Sequence, residues 1–243
     1  MSPEHPGVDA GMKQLPDYGD QRQTASCVYC GGETRTRDHV PSKVFLDEPY
    51  PENLPVVPAC RNCNQHFSLD EEYLACLIEC VLAGAPRVED IRRDKVRQIL
   101  AKKPALVSRL AQARSEADDG VVFAVEVERV RNVVMKLALG HAAYELHEPR
   151  YDDEPVRVTF VPIVVMSQDG RHCFEGQPRS PVPALWPEVG SRAMQRILMG
   201  ADMDAKGWVV VQPGQYRYRA WVGDGTFVRV VVSEYLACEV VWG

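Results

Sequence analysis

The sequence CVYC at residues 27–30 and the sequence CRNC at residues 60–63 decide the fold of the N-terminal part of this chain. In each pair, two residues separate the cysteines, which is the spacing of a zinc knuckle that offers two thiolates from one tight turn. Four thiolates complete the tetrahedral shell of one Zn²⁺ ion. The spacing therefore predicts one structural zinc ion with four ligands, which are Cys27, Cys30, Cys60 and Cys63.

The 29 residues between the two pairs are enough to form a structure of their own. They contain Asp38-His39-Val40-Pro41, in which a carboxylate and an imidazole are adjacent. An imidazole with a pKa near 6.5 accepts a proton from water at neutral pH, and an ionised Asp is a hard oxygen ligand for Mg²⁺ or Mn²⁺. Metal-dependent hydrolysis of a phosphodiester requires both kinds of group.

Composition limits the classes of protein that fit. The chain has 243 residues, 45% of them apolar, which is enough for a substantial core. No run approaches the roughly 20 apolar residues of a membrane span, and residues 1–24 lack the apolar centre of a signal peptide. We therefore expect a cytoplasmic protein with no membrane partner. Its eight cysteines fit a reducing compartment, where thiols remain available to zinc.

The charge of the chain is distributed unevenly. The net charge of −6 argues against a protein that coats nucleic acid over its whole surface. Residues 86–114, however, contain nine Lys and Arg residues against three Asp and Glu residues. We expect helices in this segment to supply the electrostatic attraction for a phosphate backbone. The alternative is an ordinary solvated helical face.

The pattern of residues predicts an α+β protein with four parts. Residues 1–24 form a flexible leader, 25–85 a zinc finger with its following helix, 86–118 a basic helical segment, and 119–243 an α+β domain of unassigned role. The helix after the second cysteine pair is expected to begin at Ser68 and to end at Gly84. Residues 128–146 predict one long helix, and residues 207–242 predict an antiparallel meander.

The segments CVYC, RDHVPSKVF and NLPVVPACRNCNQHFSLDEEY resemble the four-cysteine zinc type of the HNH endonucleases, whose fold is the ββα-metal finger. The resemblance covers about residues 25–75. It implies that His39 is the general base and that Asp38 and Asn64 complete the catalytic site by binding a divalent cation such as Mg²⁺. It also implies that the four cysteines bind structural zinc.

Two positions depart from the family pattern. The family's middle Asn, which orients the base, lies closer to the second cysteine pair than Asn53 does here, and a family basic residue is replaced by Phe67, which follows His66. Asn53 and His66 are therefore candidates for orienting or phosphate contacts. The candidate phosphate contacts near the motif are Arg37, Lys43 and Arg61.

These observations predict a metal-dependent endonuclease that hydrolyses nucleic acid, with DNA as the expected substrate. The resemblance implies products with 5′-phosphate and 3′-hydroxyl ends. The alternative is a non-catalytic, zinc-stabilised regulatory module that binds nucleic acid or protein. A third reading is a nuclease toxin or defence effector whose C-terminal half senses another molecule. That half is also the expected surface for a second copy of the chain or for a protein partner.

Overall fold

The computed structural model describes Leu15, Tyr18 and residues 25–118, 120–176, 186–199 and 203–243. The leader predicted over residues 1–24 lies outside the described residues, apart from Leu15 and Tyr18. In the described part, an N-terminal hairpin with the cysteine pairs is followed by helices and then by a five-stranded antiparallel sheet. The predicted α+β class is therefore confirmed.

The described part of the chain contains nine strands and six α-helices. The strands are β1 (Thr36–His39), β2 (Val56–Ala59), β3 (Arg114–Ala117), β4 (Gly120–Phe123), β5 (Arg157–Pro162), β6 (Val209–Gln212), β7 (Tyr216–Val222), β8 (Thr226–Val232) and β9 (Leu236–Trp242). The helices are α1 (Arg61–Ala83), α2 (Asp94–Lys102), α3 (Pro104–Ala113), α4 (Val127–His141), α5 (Gln168–Glu175) and α6 (Arg192–Met199).

The hairpin of β1 and β2 leads directly into α1, which packs against β1. This helix begins at Arg61, about two turns before the predicted start at Ser68. The earlier start has a local cause, because Cys60 is the N-cap and its Sγ accepts a hydrogen bond from the Cys63 amide. The predicted end is confirmed, since Gly84 closes the helix with a left-handed φ of 73°.

The C-terminal sheet has the strand order β5-β9-β8-β7-β6, and neighbouring strands are antiparallel. Strands β6 to β9 form the predicted meander. The predicted long helix is also confirmed, because α4 continues into a π-helical turn over Ala142–Leu146. Strand β4 pairs with β3 in a separate hairpin.

One hydrophobic core joins the finger to the C-terminal half. Helix α4 packs against α1 on one side and against β8 and β9 on the other. Its contact with the finger is close, because a Cβ built on Gly140 would lie 2.6 Å from Cγ2 of the buried Val40. Among the described helices, none has both the length and the apolar composition to cross a membrane.

Candidate metal centre and basic groove

The four cysteines of the two pairs meet at one point. Their sulfur atoms all lie within 4.8 Å of one another, and the Sγ atoms of Cys30 and Cys60 are 3.8 Å apart. A tetrahedral zinc ion with Zn–S bonds of about 2.3 Å places its sulfurs about 3.8 Å apart. The four thiols can therefore hold a metal ion, and their type and spacing fit zinc.

Local backbone structure holds the first cysteine pair in its turn. The amide of Gly31 donates to the Cys27 carbonyl at 2.8 Å, and Gly31 has a φ of 69° that favours glycine. A Cβ on Gly31 would lie 2.6 Å from the Tyr151 ring, so a residue of the C-terminal half covers this turn.

The second pair is held by the start of α1. The amide of Cys63 lies 3.4 Å from the Sγ of Cys60, and this hydrogen bond is the main cause that lowers the pKa of the Cys60 thiol to about 7. Burial instead raises the pKa of Cys27. Hydrogen bonds from backbone amides favour the thiolate form, which is the form that binds zinc.

Asp38, the predicted cation ligand, lies on the inner face of the hairpin and is 8% exposed. Its Oδ2 accepts a hydrogen bond of 2.8 Å from the Tyr29 hydroxyl and lies 2.9 Å from Nζ of Lys136 on α4. In the described part of the chain, Asp38 Oδ1 accepts no hydrogen bond. One oxygen of this carboxylate is therefore occupied by protein donors, and the other is available.

Lys136 is fully buried and contacts the motif at several points. Its ammonium donates to Glu71 Oε1 and to Ser42 Oγ, each at 2.7 Å, and to the carbonyl of His39 at 3.2 Å. Two carboxylates thus share one buried ammonium. The pKa of Glu71 is raised, because its burial outweighs the attraction of Lys136.

His39 follows Asp38 but lies on the opposite face of β1, because neighbouring side chains of a strand alternate. The half-buried imidazole has a lowered pKa, first because of burial and second because of the nearby Lys43 ammonium. Its Nδ1 is buried and has no hydrogen-bond partner among the described residues. His39 is therefore neutral at pH 7 and can accept a proton.

Asn64 lies in the first turn of α1 and ties that helix to β1. Its Nδ2 donates to the Arg37 carbonyl at 3.3 Å and to Thr36 Oγ1 at 3.4 Å. Thr36 and Asp38 are two residues apart on β1, so Asn64 is on the same side of the hairpin as Asp38. No described contact joins Asn64 to Asp38 or to His39.

The remaining candidates are distributed around this point. Arg61 and His66 are exposed on the first turns of α1, and the ring of His66 lies 5.9 Å from that of Phe67. Asn53 is half-buried in the loop before β2. The ammonium of Lys43 lies over the Tyr50 ring at 5.2 Å, which leaves it at the surface near His39.

The basic segment of residues 86–114 is largely neutralised by the protein itself. Arg93 has a buried side chain that pairs with Asp47 at 2.7 Å and donates to the carbonyls of Val44 and Leu46. Further described pairs are Arg87–Asp90, Arg97–Asp94, Lys103–Glu72, Arg109–Glu126 and Arg114–Glu116. Arg93 thus belongs to the core, and the segment is a less open basic face than its composition suggests.

A cavity of about 640 Å³ lies between the hairpin and the C-terminal half. The hairpin wall carries Arg35 and Arg37, and the opposite wall carries Tyr144, His147 and Arg192. None of the described residues that line it is Asp or Glu. We call this cavity the basic groove.

The basic groove runs along both strands of the hairpin, and His39 is not among the residues that line it. Arg37 pairs with Pro58 across the hairpin, and His39 pairs with Val56. Both Pro58 and Val56 line the groove. Val57, which pairs with Asp38, lines the groove as well. Strand alternation puts Arg37 and His39 on one face of β1 and Asp38 on the other, and residues of both faces border the groove.

Sequence reasoning missed the residues from the C-terminal half, which are Lys136, Tyr144, His147 and Arg192. Lys136 carried a signal, because it lies within the apolar run of α4, where a lysine must find a buried partner. The groove residues carried none, since only the packing of the π-helical turn and α6 places them opposite β1.

No protein-family model matches the sequence, and no curated protein or solved structure gives a significant match.

Proposed function

We propose that this protein is a metal-dependent endonuclease in which His39 is the general base and the four cysteines hold structural zinc. The observation that carries the proposal is the order of two elements: β1 ends at His39, and α1 carries Asn64 in its first turn, with the two side chains on opposite sides of the hairpin. Asn64 is tied to β1 by its hydrogen bonds to Thr36 and Arg37, and the cysteines at the start of α1 meet the pair that precedes β1. This is the ββα order that the resemblance to HNH endonucleases implies.

His39 suits the role of base because its lowered pKa keeps the imidazole neutral at pH 7. It removes a proton from water, and the resulting hydroxide attacks phosphorus. The bond from phosphorus to the 3′-oxygen breaks, the leaving oxygen takes a proton from solvent water, and the products carry a 5′-phosphate and a 3′-hydroxyl.

A catalytic divalent cation would be held by Asp38 and Asn64. The free Oδ1 of Asp38 is a hard oxygen donor, and Asn64 offers its amide oxygen, which is the donor chemistry that Mg²⁺ takes together with water. Such a cation would supply positive charge to stabilise the phosphate and the leaving oxygen. The free thiols of the described cysteines fit a cytoplasmic location, where they stay reduced.

The second candidate function is a zinc-stabilised module that binds nucleic acid or protein without cutting. The contact between Lys136 and Asp38 favours it, because an ammonium already neutralises the acid of the motif. A divalent cation beside Lys136 would experience like-charge repulsion.

A plasmid-nicking assay separates the two candidates. Wild type is expected to nick supercoiled plasmid with added Mg²⁺, Mn²⁺ or Ni²⁺ and to stay inactive without them. His39→Ala is expected to fold with its zinc and to lose cutting, and Asp38→Asn to lose the response to added metal. The control is His172→Ala, an exposed histidine on α5, outside the proposed site.

Equal cutting by wild type and His39→Ala would eliminate His39 as the base. A wild-type protein that holds zinc, binds nucleic acid and never cuts with any of the three metals would support the non-catalytic module.

A further inference from the structure

We propose that the basic groove binds one single strand of nucleic acid, with the strand's phosphates on Arg35, Arg37 and Arg192. The proposal names the form of substrate for the nuclease and rests on that proposed function. Binding is measured without cleavage, so each of the two proposals can fail without the other.

Charge is the first argument. The whole chain has a net charge of −6, yet the described residues of the groove wall include three arginines and no carboxylate. Arg35 pairs with Glu33 at 3.0 Å, but that pair is at the surface, where water and a competing phosphate exchange easily. Arg37 is exposed and has no ion-pair partner among the described residues. Its planar fork of donors fits a phosphate.

The opposite wall is organised in advance. The guanidinium of Arg192 lies over the Tyr144 ring at 3.9 Å, and its Nη1 donates to the Tyr144 carbonyl at 2.9 Å. The π-helical turn presents this tyrosine, and α6 begins at Arg192. A guanidinium held in this way loses little side-chain entropy when it binds a phosphate.

The size of the groove argues for one strand. About 640 Å³ is the volume that encloses a small ligand, which corresponds to one or two nucleotide units. A double helix, whose major groove alone is about 12 Å wide, is far larger than a cavity of this volume. A strand bound here would lie against β1 and β2, and β1 ends at His39, the proposed base.

The surface charges of the basic segment provide a matched control. In the described residues, Arg92 and Lys102 are the two basic side chains of that segment without an ion pair or side-chain hydrogen bond. The double variant Arg92→Ala/Lys102→Ala removes two positive charges, as does Arg37→Ala/Arg192→Ala. The two proteins therefore have the same net charge and differ only in where it is lost.

The test is fluorescence anisotropy of a short, labelled single-stranded oligodeoxynucleotide, titrated with protein at several salt concentrations without added divalent cation. Each arginine lost from the groove is expected to weaken binding about tenfold. The loss of each arginine is also expected to make the negative slope of log K against log salt less steep by about 0.7. Arg92→Ala/Lys102→Ala is expected to bind like wild type. Arg37→Ala alone repeats the test at an exposed site if Arg192→Ala does not fold.

Several results would overturn the groove as a single-strand site. They are equal weakening by both double variants, tighter binding of a duplex of the same sequence, or competition by a mononucleotide or inorganic phosphate as strong as that of the unlabelled strand. A His39→Ala protein that still cuts would refute the assigned base and leave the groove proposal standing.

Discussion

The ammonium of Lys136 lies 2.9 Å from Oδ2 of Asp38, so a residue of the C-terminal half neutralises the acid of the N-terminal motif. The same ammonium pairs with Glu71 on α1 at 2.7 Å. Asp38, Glu71 and Lys136 are all buried, so the charges on the hairpin, α1 and α4 must compensate one another. The motif therefore depends on the C-terminal half for its electrostatics as well as for its packing.

Lys136→Met is expected to lower the free energy of unfolding by about 3–5 kcal/mol, because it leaves buried carboxylates without a compensating charge. Chemical denaturation measures the change. Lys103→Met is the control. Lys103 pairs with Glu72, the neighbour of Glu71 on α1, but the Lys103 side chain is 40% exposed. It is expected to cost less than about 1 kcal/mol.

The triple variant Lys136→Met/Asp38→Asn/Glu71→Gln removes the carboxylate charges along with the ammonium. It is expected to recover most of the lost stability. If Lys136→Met were as stable as wild type, the buried ion pairs would not contribute to the fold.

Local sequence signals predicted the elements whose causes are local. Gly84 ends α1, and the turns at Pro213-Gly214 and Asp224-Gly225 separate the strands of the meander. The start of α1 was placed late, because Ser68 resembles a capping residue while the thiol of Cys60 performs that role. Cysteine is not among the residues preferred at the N-cap, so the sequence alone does not mark Cys60 as the cap.

The residues of the candidate site also fall into those that local sequence predicts and those that only the packing of distant segments brings together. The cysteine cluster was predictable because two knuckles specify their own geometry. The orientation of Asp38 away from His39 follows from strand alternation once β1 is known to be regular there. The partners Lys136 and Arg192 were not predictable, since they reach the motif only through the packing of α4 and α6 across a large sequence separation.

Cys30→Ser is expected to release the bound zinc and to lower the thermal unfolding midpoint, because three thiolates hold zinc less tightly than four. Zinc content is measured by metal analysis of the purified protein. Cys173→Ser is the matched control, since Cys173 is also exposed but lies outside the cluster. A Cys30→Ser protein with one full equivalent of zinc would contradict the assigned ligand set.

Stability is expected to fall with decreasing pH below about 6.5 in a way that depends on His141. This residue is fully buried, its Nε2 lies 2.8 Å from the Tyr216 hydroxyl, and its ring stacks on Tyr218. Burial, then the charges of Lys136 and Arg196, lower its pKa well below 6.5. The unfolded chain therefore binds a proton at a higher pH than the folded chain does.

Above pH 6.5 the neutral His141 makes its full contribution to the free energy of unfolding. As pH decreases from 6.5 toward the pKa of the folded state, the free energy of unfolding falls by about 1.4 kcal/mol per pH unit. Buried Glu71 and Glu79 have raised pKa values and act in the opposite direction. The comparison of wild type with His141→Gln cancels their effect. Parallel curves of unfolding free energy against pH for the two proteins would show that His141 does not titrate as described.

Gly140→Ala is expected to destabilise the protein by about 1–3 kcal/mol, because the added Cβ would lie 2.6 Å from Cγ2 of Val40 in a packed core. Val40→Ala opens space at the same contact and is expected to be destabilising alone. The double variant Gly140→Ala/Val40→Ala is expected to lose less than the sum of the two, since each change relieves the other. Strict additivity in this double-mutant cycle, measured by chemical denaturation, would mean that α4 does not pack on the turn after His39 at this distance.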